Sequence, residues 1–133
     1  MISLDTNVLI RVLTADDLAQ LKVALTIIRS GEPLWVCKTV MLETEWVLRY
    51  TYKLSREAIL VGLQGILGYR ALQVESRGTV LQALRLYEKG MDFADALHLV
   101  SSTEADRFAT FDRELAKAAK THGGDDIPAV ELL

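Results

Sequence analysis

The chain opens with the segment Ile2-Ser3-Leu4-Asp5-Thr6-Asn7-Val8-Leu9-Ile10. Its first three residues predict a short strand, and a short helix is predicted from Asn7 to about Leu13. Asp5 stands between them, at the end of an apolar strand that should be central, where a bare charge is costly. A strand followed at once by a helix is the unit of α/β folds, so this segment sets the expected fold class.

The rest of the chain repeats this alternation of short apolar runs and helical patterns. Further strands are predicted at residues 34–37, 71–74 and 107–111, with a short edge strand at 127–130, where a proline fits best. Helices fill the intervals, and their predicted starts are Asp16 or Asp17, Thr39, Ser55, Thr79, Asp92 and Asp112. Strands separated by helices require crossover connections, so we predict an α/β fold with a parallel sheet of four to five strands.

Length and composition predict one globular domain over residues 1–133. Half of the 133 residues are hydrophobic, and a chain of this size can form a core without disulfides or a structural metal ion. Cys37 is the single cysteine, so no internal disulfide can form and a reducing compartment is expected. No basic, apolar leader precedes Asp5, and no apolar run approaches the roughly 20 residues of a membrane span. We therefore expect a cytoplasmic protein without a membrane partner.

The net charge of −3 is unusual for a protein that binds nucleic acid, because such proteins are usually basic. Four carboxylates committed to cations would raise the formal charge of the remainder from −3 to +1. An acidic total therefore does not exclude an RNA substrate, although it argues against a broad electrostatic grip on one.

Four acidic residues fall where an α/β sheet places its ligands, beyond the carboxyl ends of the strands. Asp5 and Asp112 directly follow the first and fourth predicted strands, Glu43 follows the second, and Asp95 lies in the first turn of its helix. Converging carboxylates repel one another unless a cation lies among them. Ligation by oxygen alone suits Mg²⁺ or Mn²⁺, and such a site suits phosphodiester hydrolysis.

Each acid also has an ordinary interpretation. Asp92, Asp95 and Asp112 all stand where acidic residues cap helices or complement the helix dipole. Glu43 and Glu45 compete for one role, since residues two apart lie on nearly opposite sides of a helix. Spacing does not choose between these two glutamates.

Four segments of the chain resemble the acidic motifs of PIN-domain ribonucleases, especially VapC-type toxins. The resemblance runs through nearly the whole chain, with the acids in the family's order. The four segments are Leu4-Asp5-Thr6-Asn7-Val8-Leu9-Ile10, Leu42-Glu43-Thr44-Glu45-Trp46-Val47-Leu48, Asp92-Phe93-Ala94-Asp95-Ala96-Leu97-His98 and Thr110-Phe111-Asp112-Arg113-Glu114-Leu115.

The resemblance implies a three-layer α/β/α fold and a metal-dependent endoribonuclease that forms a homodimer and is inhibited by a small VapB-like antitoxin. Toxins of this type form part of type II toxin–antitoxin systems and cut tRNA or ribosomal RNA at restricted sites. The metal ligands that it implies, and hence the catalytic residues, are Asp5, Glu43, Asp95 and Asp112.

The resemblance leaves the residues beside these four ligands with open roles. Thr6 and Asn7 are possible polar supports near Asp5, although Thr6 can equally cap the short helix. Asp92 can support the site or simply cap its own helix. Many relatives carry an aspartate where this chain has Glu114, so Glu114 is left outside the ligand set.

Several other residues receive plainer interpretations. His98 is expected to pack within its helix and not to carry protons, since a metal can activate water without it. Trp46 is expected in the core, although Trp46, Tyr50 and Tyr52 could stack on bases. Four basic residues are candidate phosphate contacts or plain surface charges: Arg11, Arg49, Lys53 and Arg85.

Two alternative functions remain open from the sequence. Asp5 at a strand end could be the nucleophile of a phosphoryl-accepting or phosphatase-like α/β domain. The haloacid dehalogenase pattern would place a second aspartate two residues later, where this chain has Asn7. The other alternative is a non-catalytic binding module with a nuclease fold.

Overall fold

The computed structural model describes all 133 residues, Met1–Leu133, as a mixed α/β chain with seven α-helices and five strands. The chain divides into two compact units, Met1–Arg77 and Gly78–Leu133. The first unit contains β1 (Ile2–Ser3), α1 (Thr6–Thr14), α2 (Leu18–Ile28), β2 (Leu34–Val36), α3 (Lys38–Tyr50), α4 (Arg56–Gly68) and β3 (Leu72–Val74). The second contains α5 (Arg77–Glu88, which starts at the boundary), α6 (Phe93–Val100), β4 (Arg107–Thr110), α7 (Arg113–His122), a 3₁₀ turn (Gly124–Asp126) and β5 (Ala129–Leu132).

The first unit is built on a parallel sheet with the strand order β1-β2-β3. Ile2 pairs with Leu34, and Leu34 pairs in turn with Leu72. In the central strand β2, Leu34 and Val36 share one face and are fully buried, whereas Trp35 on the other face is half-buried. Helices α1 and α3 pack against each other, as do α1 and α2.

The second unit has a parallel pair of strands, β4 and β5, in a register that joins Phe108 to Val130. Its helices bury an aromatic pair, Tyr87 of α5 and Phe93 of α6, whose rings meet edge to face with centroids 5.6 Å apart. Helix α7 packs against both strands of the pair.

The α/β class and the parallel strands are confirmed, and they are consistent with the α/β/α fold that the resemblance implies. The five strands form one sheet of three and one of two, whereas a single sheet of four to five strands was predicted. The three-stranded sheet has β1 at its edge, and the amides of Ile2 and Leu4 both donate to the β2 segment, at Pro33 and Trp35. The single-domain assignment stays a prediction.

Helix starts were predicted well where a side chain caps the helix. Asp17 and Ser55 accept hydrogen bonds from the amides of Gln20 and Ala58 at 3.0 and 3.2 Å. The predicted cap at Thr39 is wrong, because α3 begins earlier, with Cys37 at the N-cap position and no side-chain bond. The last strand begins at Ala129, later than predicted, because Pro128 has no amide hydrogen to donate to a strand ladder.

Candidate metal centre

Asp5 occupies the N-cap position of α1, directly after the first strand. Its backbone is extended there (φ −80°, ψ 160°), as at an ordinary N-cap, but its side chain makes no capping hydrogen bond. The side chain is exposed, so the expectation of a charge made costly by a central strand is wrong, and β1 is an edge strand of its sheet. The carboxylate is therefore accessible and is not used by the helix that it precedes.

Thr6 follows as the first residue of α1, so the interpretation of Thr6 as the helix cap is wrong. Its side chain is buried, and its Oγ1 atom has no hydrogen-bond partner. A buried hydroxyl without a partner costs about 1–3 kcal/mol, and native structures usually explain such a group by a water or an ion. Asn7, the other possible support, is exposed.

The two rival glutamates of α3 have opposite environments. Glu45 is 1% exposed, and Arg49 one turn later donates to both of its carboxylate oxygens, at 2.9 Å to Oε2 and 3.1 Å to Oε1. Glu43, in the second turn of the same helix, is exposed. The structure thus uses Glu45 as an internal partner of Arg49 and leaves Glu43 facing solvent.

The second unit brings together three aspartates around the start of α6. Asp92 caps α6 by accepting a hydrogen bond from the amide of Asp95 at 3.1 Å, which fixes the first turn of the helix. Partial burial raises the pKa of Asp95, and the negative charges of Asp92 and Asp112 raise it further, whereas His98 opposes the shift. The negative charges of Asp92 and Asp112 therefore disfavour the ionised form of Asp95 in the metal-free protein.

Asp112 also has a capping role, as its ordinary interpretation predicts. Its Oδ1 accepts a hydrogen bond from the amide of Leu115 at 3.0 Å, and its own amide donates to Thr110 Oγ1 at 2.9 Å. The cap uses one carboxylate oxygen and orients the other, so Asp112 can cap α7 and still contribute an oxygen to a cation. Glu114, two residues later, is exposed.

The predicted ligands are distributed evenly over the two units. Asp5 and Glu43 belong to the first unit, and Asp95 and Asp112 belong to the second. No group of three or more histidine, cysteine, aspartate or glutamate side chains is arranged to hold a metal ion. The four-carboxylate site stays a prediction, although the donor chemistry fits a hard divalent cation and the hydroxyl of Thr6 lacks a partner beside Asp5.

Two side chains differ from the sequence-based expectation. Trp46 was expected in the core but is 52% exposed, because it lies on the solvent side of α3, where its ring packs on Tyr50 with centroids 5.0 Å apart. The guanidinium of Arg49 lies 4.6 Å from the Tyr50 ring centroid. His98 was expected to pack within its helix but is exposed, and it acts on Asp95 only through its charge.

The sequence model of the PIN domain family matches residues 2–121. The chain therefore belongs to the PIN domain family, whose members are generally metal-dependent nucleases, and a nuclease or hydrolase reaction follows as its class. No curated protein and no solved structure gave a significant match. No helix of this chain combines the length and the apolar character that crossing a membrane requires.

Proposed function

We propose that this protein is a Mg²⁺- or Mn²⁺-dependent endoribonuclease and the toxin of a type II toxin–antitoxin system, with tRNA or ribosomal RNA as its substrate. The observation that supports this proposal most directly is that the carboxylate of Asp5 lies at the N-cap of α1 without making the capping hydrogen bond. An N-cap aspartate normally satisfies a helix amide, as Asp17, Asp92 and Asp112 do in this chain. An accessible carboxylate that the helix does not use is available for a ligand.

The residues proposed to hold the cation are the four acids of the family motifs: Asp5, Glu43, Asp95 and Asp112. When bound, a divalent cation would supply Lewis acidity that activates water and offsets charge on a phosphodiester. Asp92 supports the set by fixing the first turn of α6, and the capping bond of Asp112 orients its carboxylate. Glu45 is not part of the proposed set, because Arg49 engages both of its oxygens.

The first experiment compares cleavage of structured RNA by wild-type protein and an Asp5→Asn variant in Mg²⁺ and in Mn²⁺. We expect the variant to lose at least about 100-fold in rate while its melting temperature is retained, because the exchange removes a charge and keeps the shape. Asp17→Asn is the matched control, since it makes the same chemical change at the N-cap of α2, where asparagine also caps.

The outcomes separate the proposal from its alternatives. Retained metal-dependent cleavage by rigorously purified Asp5→Asn protein would overturn the proposal. Acetyl phosphate that labels the wild-type protein but not Asp5→Asn would instead identify a phosphoryl-accepting domain. A wild-type protein that neither cleaves RNA nor shows a thermal shift with metal would be the non-catalytic binding module.

The toxin role has its own test in cells. Brief induction followed by sequencing of RNA 5′ ends should give new ends at few sites in tRNA or ribosomal RNA, and growth should stop. Co-expression of a short DNA-binding protein encoded directly upstream, proposed as a VapB-like antitoxin, should restore growth. We also propose a cytoplasmic homodimer, which fractionation and light scattering of the purified protein would check.

A further inference from the structure

Helix α7 carries three basic residues at helical spacing along one side. Arg113, Lys117 and Lys120 are separated by four and then three residues, so they lie on one face of the helix. All three line a single groove of about 760 Å³ that α7 forms with β5 and the segment leading into it. The same groove contains one acidic residue, Asp125. An acidic chain thus places a row of three positive charges in one concave surface.

The row of charges has the geometry of a track for a nucleic-acid backbone. With a rise of about 1.5 Å per residue, Lys117 lies about 6 Å and Lys120 about 10.5 Å along the axis from Arg113. Cations at such intervals can contact successive phosphates of one strand. All three side chains are exposed, so their charged ends can reach a ligand without first breaking a buried contact.

The row begins beside a proposed ligand of the cation. Arg113 is the first residue of α7, and Asp112, the residue before it, caps the helix. A strand bound along α7 would therefore run away from the proposed cleavage site and would supply binding energy from phosphates that do not react. The groove also has apolar lining residues, among them Ile127 and Val130, and Asp125 is its one acidic residue.

We propose that the groove between α7 and β5, with its basic row Arg113, Lys117 and Lys120, binds the phosphate backbone of the RNA substrate. This inference rests on the proposed ribonuclease function for the identity of the ligand. A nucleic-acid backbone fits better than a lone anion, because three charges in a line match a polyanion and leave two unused by a single phosphate.

The test measures binding of a fluorescein-labelled single-stranded oligoribonucleotide to wild-type protein and to a triple variant, Arg113→Gln, Lys117→Gln and Lys120→Gln. EDTA in the buffer prevents cleavage, so binding is measured by itself. We expect the affinity to fall at least tenfold and the slope of log K against log salt to become shallower by about 2, since each phosphate contact of a single strand contributes about 0.7.

A matched variant removes the same number of charges elsewhere: Lys22→Gln, Arg29→Gln and Arg70→Gln, all at exposed positions outside the groove. It should keep the wild-type salt slope. Circular dichroism and melting temperature check that both triple variants fold, and glutamine is a good helix former. Should the groove variant fail to fold, Lys117→Gln alone against Lys117→Arg gives the same comparison for one contact, with a slope change of about 0.7.

The result is separable from the fate of the proposed function. Equal affinity and equal salt slope for the groove variant and wild type would overturn the RNA-binding role of the groove. The proposed ribonuclease activity would not be affected by that result. Equal losses in both triple variants would also overturn it, because only net charge would then matter. If wild-type binding depends on the groove but the protein cleaves no RNA in Mg²⁺ or Mn²⁺, the RNA-binding role of the groove is supported and the proposed ribonuclease activity is rejected.

Discussion

Arg49 holds the buried carboxylate of Glu45 with two hydrogen bonds, Nε to Oε2 at 2.9 Å and Nη2 to Oε1 at 3.1 Å. Both residues belong to α3, one turn apart, and the pair is an internal connection of that helix. The same helix presents Glu43 to solvent. One glutamate of the pair Glu43 and Glu45 is therefore committed to structure, and the other is accessible to a ligand.

This division predicts opposite phenotypes for the two glutamates. Glu43→Gln should lose metal-dependent cleavage by about 100-fold or more and keep its stability, because an exposed side chain carries little folding energy. Glu45→Gln should be less stable by about 1–3 kcal/mol, since it weakens a bidentate, charge-assisted contact at a buried carboxylate.

Urea denaturation and RNA cleavage, measured on both variants, check this prediction. Each variant is the control for the other, because the chemical change is identical and the positions are two residues apart. Loss of cleavage in Glu45→Gln without loss of stability, together with retained cleavage in Glu43→Gln, would contradict the proposed ligand role of Glu43.

The buried hydroxyl of Thr6 gives a second prediction. Thr6→Val keeps the shape of the side chain and removes an oxygen that has no partner. The metal-free protein should therefore be as stable as wild type or more stable by up to about 1 kcal/mol, because a buried polar group without a hydrogen bond is costly. If the hydroxyl supports a cation or its water beside Asp5, the variant should show a smaller thermal shift with Mn²⁺.

Thermal melts with and without Mn²⁺ measure both effects in one experiment. Thr44→Val is the contrasting control, because the hydroxyl of Thr44 is also buried but donates to the carbonyl of Val40 at 2.7 Å. Thr44→Val should destabilise the protein by about 0.5–1.5 kcal/mol and leave the Mn²⁺ shift unchanged. Equal destabilisation by the two variants would show that Thr6 has a polar partner.

The third prediction concerns the pH dependence of the metal-free protein at Asp95. Burial, followed by repulsion from Asp92 and Asp112, raises the pKa of Asp95 above its ordinary value of 3.8. In the pH window just above 3.8, Asp95 binds more protons in the folded state than in the unfolded state. Its contribution to the free energy of unfolding therefore falls as the pH rises through the raised pKa. At neutral pH the ionised Asp95 is a net cost to folding.

Asp95→Asn should therefore raise the melting temperature of metal-free protein at pH 7 and should give no gain below pH 3.8. Asp106→Asn, at an exposed position of the same unit, is the control and should change neither value. Melts in EDTA at a series of pH values provide the measurement. A destabilised Asp95→Asn protein at pH 7 would mean that the ionised carboxylate has a favourable partner.

The fourth prediction concerns the turn between α1 and α2. The hydroxyl of Tyr52 donates to Asp16 Oδ2 at 2.7 Å and accepts from Arg11 Nη1 at 3.2 Å. The hydrogen bond from Tyr52, followed by the smaller contributions of Thr14 and Arg11, lowers the pKa of Asp16 from 3.8. The ionised Asp16 carboxylate, with its hydrogen bond from Tyr52, therefore stabilises the folded state above pH 3.8. This stabilisation is lost as the pH falls through the lowered pKa.

Tyr52→Phe should lower the melting temperature at pH 7, and its difference from wild type should shrink below pH 3.8, as Asp16 is protonated. Tyr69→Phe is the control, because Tyr69 is an exposed tyrosine of the same unit away from Asp16. Melting curves at pH 7 and at pH 2 measure both variants. A pH-independent difference for Tyr52→Phe would assign its effect to the other contact of the hydroxyl, the hydrogen bond that it accepts from Arg11.

The sequence by itself determined the elements whose signals are local. Short apolar runs between helices predicted the parallel strands, and caps such as Asp17, Ser55, Asp92 and Asp112 marked the helix starts, because an N-cap needs only residues within one turn. The order of the acidic motifs also identified the family, since those motifs are read along the chain.

Only the tertiary structure decided what depends on burial and partners. Spacing could not tell Glu43 from Glu45, whereas the fold gives them different environments, with Glu45 buried against Arg49 and Glu43 exposed. Periodicity placed Trp46 in the core, but an apolar ring on the exposed side of α3 gives the same pattern until its neighbours are known.

The basic residues Arg113, Lys117 and Lys120 of α7 were not among the phosphate contacts predicted from the sequence, because their shared surface exists only when β5 packs beside the helix. The interpretation of Asp5 needed both the sequence and the tertiary structure. The sequence put an aspartate at the end of a strand, and the fold left its carboxylate without the helix bond that its position normally makes.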